Sequence, residues 1–151
     1  MIRPSHSLRP WFLLFLFFLP GCQGGKETDG LFLLAAEALG PEAHKNREMV
    51  VNPRLLGQEN PRIPDRALLL LQEAGFGLTG ADGQEDPEKA TLYFTPPEAL
   101  EEGRYQLRVF VSMGARFGTM HRGDTWWRVL VECRERCEVL EITSISPPKL
   151  S

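Results

Sequence analysis

The chain has 151 residues, of which 17 are basic, 20 are acidic and 42% are apolar. A chain near this length buries roughly 68–70% of its unfolded surface, which is enough for one domain with a single core. The acidic balance, a net charge of −3, argues against nucleic acid as a partner.

The first 21 residues have the pattern of an exported protein. Two arginines, Arg3 and Arg9, precede the apolar run of residues 11–19. This run is less than half of the ~20 residues that a transmembrane helix needs, and Pro20 and Gly21 end it. A basic start, a short apolar run and a small residue before the cleavage point predict a secretory signal peptide over residues 1–21.

Cys22 follows Gly21 directly, and Leu19 stands three positions before the cysteine. This ending resembles the lipobox of bacterial lipoproteins, from which Pro20 departs because a small or β-branched residue is usual there. The resemblance covers residues 1–22 only. It implies that residues 1–21 are removed and that acyl chains such as palmitate are attached to Cys22. The alternative is an ordinary exported protein with an incidental cysteine near its cleavage site.

The resemblance also implies a place in the cell. A lipid-anchored protein belongs to the cell envelope, and two or more acyl chains hold such a protein stably in a membrane. Gln23, rather than Asp, follows the cysteine, and this implies the outer membrane with the domain facing the periplasm. The membrane, contacted through the anchor on Cys22, is therefore one expected partner, and an envelope protein is a second candidate.

After the cysteine, residues 22–30 are predicted to form a polar tether, residues 31–147 a single domain and residues 148–151 a tail. The first predicted helix covers 31–39 and ends at Gly40 and Pro41, because glycine and proline in this order typically end a helix.

A short predicted strand follows at 49–51, and a second helix begins at Pro64 with Asp65 in its first turn. This helix is predicted to end near residues 73–74, just before Gly75, and residues 76–79 to form a short strand.

Strands dominate the rest of the chain. Residues 91–95 alternate between apolar and polar positions, and three longer strands are predicted at 104–113, 125–133 and 137–145. Helices early in the chain and consecutive strands late in it predict an α+β fold. We expect one or two N-terminal helices packed on a C-terminal antiparallel sheet of about four to five strands.

Two cysteines, Cys133 and Cys137, flank the three residues between the last two predicted strands. A three-residue hairpin loop would place them opposite each other, and export would expose them to an oxidising compartment, so a structural disulfide is predicted. A metal site or a redox pair is the alternative. Two thiols with no histidine nearby, however, supply only half of a zinc site.

Two further patterns point to catalysis only weakly. Residues 75–80 spell the glycine pattern of dinucleotide-binding loops, but a helix precedes it and a loop follows it, which is the wrong context. His121 lies close to Asp124, yet no serine in a suitable motif accompanies the two. We predict no catalytic residue, no metal site and no cofactor.

The strongest candidate for function lies on the predicted sheet. One side of the strands at 104–113 and 125–133 is apolar, with Tyr105, Leu107, Val109 and Val111 on the first and Trp127, Val129 and Val131 on the second. The opposite side of both strands mixes arginine with aromatic residues. Such mixtures are enriched at recognition surfaces. The predicted binding residues are Arg108, Phe110, Trp126 and Arg128, with Arg104 on the same side. In the alternative, helices half cover this side and the arginine heads reach past them to water.

The sequence therefore favours a membrane-anchored bacterial lipoprotein of the cell envelope, whose domain binds a ligand or a protein and is not an enzyme. Two alternatives stay open. One is an envelope hydrolase whose residues, His121 and Asp124 among them, come together only in the fold. The other is a structural component of the envelope.

Overall fold

The computed structural model describes residues 28–57, 61–80, 84–114 and 124–148. Cys22 and His121 lie outside these ranges. The helices are α1 (28–38), α2 (Pro41–His44) and α3 (Asp65–Glu73). The strands are β1 (Met49–Leu55), β2 (Gly77–Leu78), β3 (Ala90–Phe94), β4 (Glu98–Ala99), β5 (Arg104–Ser112), β6 (Thr125–Cys133) and β7 (Cys137–Ile145).

The strands form one mixed sheet in the order β2-β1-β3-β5-β6-β7, with the short β4 paired to β5. The combination of helices and a sheet is as predicted. The prediction of an antiparallel sheet of four to five strands is wrong in the number of strands and in their relative direction. Seven strands lie within the described ranges, and β1 pairs in parallel with both β2 and β3. The parallel pairing of β1 with β2 is possible because α3 lies in the connection between them and reverses the direction of the chain.

The helices differ from the prediction at the N-terminal end. Helix α1 already includes residues 28–30, which the sequence analysis assigned to the tether. Gly40 and Pro41 follow α1 as expected, but they also begin α2, where Gly40 is the N-cap and Pro41 the first residue. Proline suits this position because the first helical N–H has no partner in the helix. No helix within the described ranges is long and apolar enough to span a membrane.

All three helices contribute buried residues to one core on one side of the sheet, which we call the helix face. Phe32 of α1 meets Phe94 of β3 edge-on, with ring centroids 5.5 Å apart. Helix α3 buries Ala67, Leu68 and Leu71. The apolar positions of the long strands complete the core: Leu107, Val109 and Val111 of β5, and Val129 and Val131 of β6. The other side of the sheet is called the second face below.

The hairpin of β6 and β7 has the predicted boundaries, and residues 134–136 form its loop. Cys133 and Cys137 pair directly across the two strands, and their sulfur atoms lie at disulfide distance, 1.98 Å. Farther from the two cysteines, the pairing shifts by one residue, since Val131 pairs with Val139 but Leu130 pairs with Glu141. Leu140 is thus the extra residue of a β-bulge.

Gly103 joins the turn after β4 to this hairpin. Its φ is +74°, a left-handed conformation that residues with a side chain adopt at a cost. Its carbonyl accepts a hydrogen bond from the N–H of Cys133, and a Cβ added to Gly103 would lie 2.6 Å from the carbonyl oxygen of Cys133. Cys133 ends β6 and Gly103 directly precedes β5, so the backbone on both sides of this contact has little room to move.

We therefore expect Gly103→Ala to lower the free energy of unfolding by about 2 kcal/mol or more, since the left-handed conformation alone costs roughly 1–2 kcal/mol with a side chain. Urea denaturation followed by circular dichroism measures the change. Gly30→Ala is the control, because a Cβ at Gly30 meets no atom within 4 Å. Equal stability of the two variants would show that the turn at Gly103 relaxes freely.

Candidate binding face

The structure brings the four predicted binding residues together on the second face. Phe110 of β5 pairs directly with Trp126 of β6, and Arg108 pairs directly with Arg128. Because side chains alternate along a strand, these two pairs lie on the same side of the sheet, in adjacent rows. The helices contribute their buried residues to the opposite side. The second face is thus the side that the helix-lined core does not include.

The first row is aromatic and extends across three strands. Tyr93 of β3 pairs with Phe110, and their ring centroids are 5.9 Å apart. Phe110 and Trp126 follow at 5.2 Å, and both ring pairs are tilted rather than stacked flat. Trp126 is only 8% exposed, whereas Tyr93 and Phe110 are half-buried. Tyr93 was not among the predicted binding residues, although the alternation of residues 91–95 already placed it on one side of a strand.

The second row holds two like charges opposite each other. The side chains of Arg108 and Arg128 are 35% and 40% exposed. An Nη2 atom of Arg108 lies 4.0 Å from Glu98, and that of Arg128 lies 3.6 Å from Glu141. Both distances exceed the 2.7–2.9 Å or so of a charge-assisted hydrogen bond. Like charges directly opposite on neighbouring strands destabilise a sheet, and such loose, exposed ion pairs compensate little.

Arg104, which the sequence placed on the same side, is in a different environment. Its Nε lies 3.5 Å from Glu132, the residue opposite it on β6, and its Nη1 lies 4.0 Å from Glu101. Glu132 also pairs with Arg134 of the hairpin loop. Arg104 therefore faces a carboxylate across the strands rather than a second arginine. Arg108 and Arg128, by contrast, lie opposite each other, and each has its acidic neighbour to one side.

A polar cluster bounds the aromatic row at the β3 side. The hydroxyl groups of Tyr93 and Ser112 both donate hydrogen bonds to the carboxylate of Glu85, the latter at 2.8 Å. Glu85 belongs to the segment that connects β2 to β3. Burial of the Tyr93 ring, together with its hydrogen bond to Glu85, raises the pKa of Tyr93 well above its ordinary value.

Of the two residues of the enzyme hypothesis, Asp124 lies within the described ranges and His121 outside them. The carboxylate of Asp124 accepts a hydrogen bond from the backbone N–H of Met113 at 2.7 Å, which is a structural role at the ends of β5 and β6. An open depression of about 540 Å³ lies on α2, lined by Pro41, Glu42, Lys45 and Asn46, and is separate from the candidate face. Within the described ranges, no three His, Cys, Asp or Glu residues are grouped as metal ligands.

Comparison with known proteins adds no assignment. No family model matches the chain, and no curated protein and no solved structure was found to be similar to it. The arrangement of residues on the second face is therefore the basis for any functional proposal.

The environment of Tyr93 leads to a prediction about pH. Since a free tyrosine has a pKa of ~10, the folded state keeps the Tyr93 proton at a pH where the unfolded state has lost it. This contribution to stability is complete below pH ~10 and is lost as the pH rises further. Ultraviolet titration of the folded protein should show one tyrosine that ionises late, and Tyr93→Phe should remove it.

The chain has two tyrosines, so Tyr105→Phe is a matched control. It should leave the late ionisation in place. Loss of the late ionisation in the Tyr105 variant, or its persistence in the Tyr93 variant, would contradict the described hydrogen bond to Glu85.

Proposed function

We propose that the protein is a lipid-anchored component of the bacterial cell envelope whose domain binds a ligand or a partner protein through the second face, without catalysing a reaction. One observation carries the proposal: two arginines and two aromatic side chains are paired in adjacent rows on the side of the sheet opposite the helix-lined core. Arginine and tryptophan are enriched among the residues that dominate binding energy at interfaces.

The composition of the rows supports recognition over a purely structural role. A face that only needed to be soluble would have polar residues in place of Phe110 and Trp126. A face that only needed to pack would not place two arginines opposite each other at a cost in stability. The combination of an apolar row and a charged row is typical of an interface, where the apolar part contributes affinity and the charged part orientation.

The anchor is supported by the sequence pattern that ends at Cys22. Helix α1 is present from residue 28, so five residues, 23–27, separate Cys22 from it. A fully extended chain covers about 3.3–3.6 Å per residue, which limits this connection to roughly 20 Å. A domain anchored in this way stays close to the membrane surface, and so does the partner that it binds.

The anchor hypothesis predicts that the protein in the membrane fraction has lost residues 1–21 and has gained acyl mass on Cys22, as measured by intact-mass spectrometry. Cys22→Ser should release the protein from the membrane or leave its precursor uncleaved. Cys137→Ser is a control that removes a cysteine of the domain and should leave acylation unchanged. Soluble wild-type protein without acyl groups would contradict the hypothesis.

The binding hypothesis predicts different effects on stability and on binding for Arg128→Glu. Because Arg128 is 40% exposed, the variant should keep nearly the same melting temperature, while the reversed charge weakens association. Association is measured in intact cells with a photo-reactive benzoylphenylalanine at position 106, which lies on the second face beside Arg108.

The same photo-reactive residue at the exposed position 69 of α3 is the control on the helix side of the sheet. We expect an adduct from position 106 that Arg128→Glu reduces, and none from position 69. Failure to form an adduct from position 106, or unfolding of Arg128→Glu, would remove the second face as the binding site.

A further inference from the structure

We infer that the partner of the second face is an acidic protein segment, in which carboxylates bind the Arg108–Arg128 pair and a neighbouring apolar side chain contacts Phe110 beside the buried Trp126. This inference rests on the proposed function and specifies the chemistry of the partner.

The first step is the binding capacity of the arginine pair. Directly opposite residues of antiparallel strands have Cβ atoms about 4.5–5.5 Å apart, so the two guanidinium groups share one small region of the face. Each guanidinium has five N–H donors. In the described part of the chain, their acidic contacts are Glu98 and Glu141, at 4.0 Å and 3.6 Å. An anion placed between the two arginines would gain short hydrogen bonds and relieve their repulsion.

The second step concerns the kind of anion. The molecule itself places carboxylates, those of Glu98 and Glu141, beside the two arginines. Arginine and carboxylate form planar, two-point hydrogen-bonded pairs, which the present contacts are too long to make. A partner's carboxylate at the centre of the pair could make them, because both arginines can be approached from the same side.

The third step concerns spacing. Phe110 and Arg108 are two residues apart on β5, as are Trp126 and Arg128 on β6, so the two rows are separated by about 6.6–6.8 Å. Alternate side chains of any extended polypeptide have the same spacing. An extended partner segment that lies along β5 and β6 would therefore place an apolar residue over the aromatic row and an acidic residue over the arginine row.

The fourth step distinguishes a protein segment from an anionic membrane. Exposed carboxylates lie beside the arginine pair, those of Glu98 and Glu141, whereas Glu101 and Glu138 lie farther away, next to Arg104 and Arg136. A broad anionic lipid surface would meet these carboxylates together with the arginines and be repelled. A narrow segment contacts the arginines and avoids most of the surrounding acids.

The test uses the full-length protein in detergent and three capped heptapeptides. The first, the glutamate peptide, is Thr-Phe-Thr-Glu-Thr-Glu-Thr. In the glutamine peptide, glutamine replaces both glutamates, and in the lysine peptide, lysine replaces both. Binding is followed by the NMR signals of the Trp126 indole N–H and the arginine Nε–H groups. We expect the glutamate peptide to bind at least about tenfold more tightly than the glutamine peptide, because charge-assisted hydrogen bonds are roughly twice as strong as neutral ones.

Charge reversal tests the role of the pair itself. The double variant Arg108→Glu and Arg128→Glu should prefer the lysine peptide over the glutamate peptide. Arg128→Gln is a milder variant that should fold even if the double variant does not, and it should reduce the preference for glutamate. Arg66→Glu, on the exposed side of α3, should not change the affinity for any of the three peptides.

Equal affinities for the glutamate and glutamine peptides, or no binding of any peptide, would overturn the inference. Binding to phosphatidylglycerol vesicles that the double variant loses would also overturn it, in favour of a lipid surface. If an adduct still forms from position 106 in any of these cases, only the acidic partner is rejected. If that adduct is absent as well, the proposed function is rejected with it.

Discussion

The pairing between β5 and β6 determines what both sides of the sheet present. Eight residue pairs join these strands, and alternate pairs point to opposite sides. The same register therefore directs Val109 toward the helices and Arg108 toward the second face. A slip of one residue on either strand would exchange the two sets and move arginines into an apolar core, where an unpaired charge is very unfavourable. The core and the candidate binding face are thus two results of a single register.

The C-terminal half of the fold could be predicted because its strand pairings are local in sequence. Strands β5, β6 and β7 follow one another, alternate clearly and pair with their neighbours in sequence, and the boundaries of β6 and β7 match the prediction. The N-terminal half could not, because β1 pairs with β2 and β3 across long connections. Helix α2 was missed because Gly40 and Pro41 end one helix and begin another, and the sequence pattern for the two roles is similar.

The residues of the candidate site also divide into those that a local sequence pattern predicts and those that it does not. Arg108, Phe110, Trp126 and Arg128 could be placed on one side of the sheet from alternation alone. Glu85 could not, because it contacts Ser112 from a loop 27 residues away and no local pattern indicates that contact. Acidic loops are usually solvated, whereas the carboxylate of Glu85 accepts hydrogen bonds from both Tyr93 and Ser112.

The extra residue in β7 has a consequence for how the length of this hairpin can vary. Because Leu140 is bulged out, Glu141 lies opposite Leu130 and comes within 3.6 Å of Arg128 on the second face. With an uninterrupted ladder from the cysteines, Glu141 would lie opposite Val129, which is buried in the core. Loss of the bulge with Leu140 retained would thus exchange the two sides of the outer part of β7. Deletion of Leu140 itself would keep Glu141 opposite Leu130 in a regular ladder, so Leu140 is a position at which this hairpin can lose one residue and retain the second face.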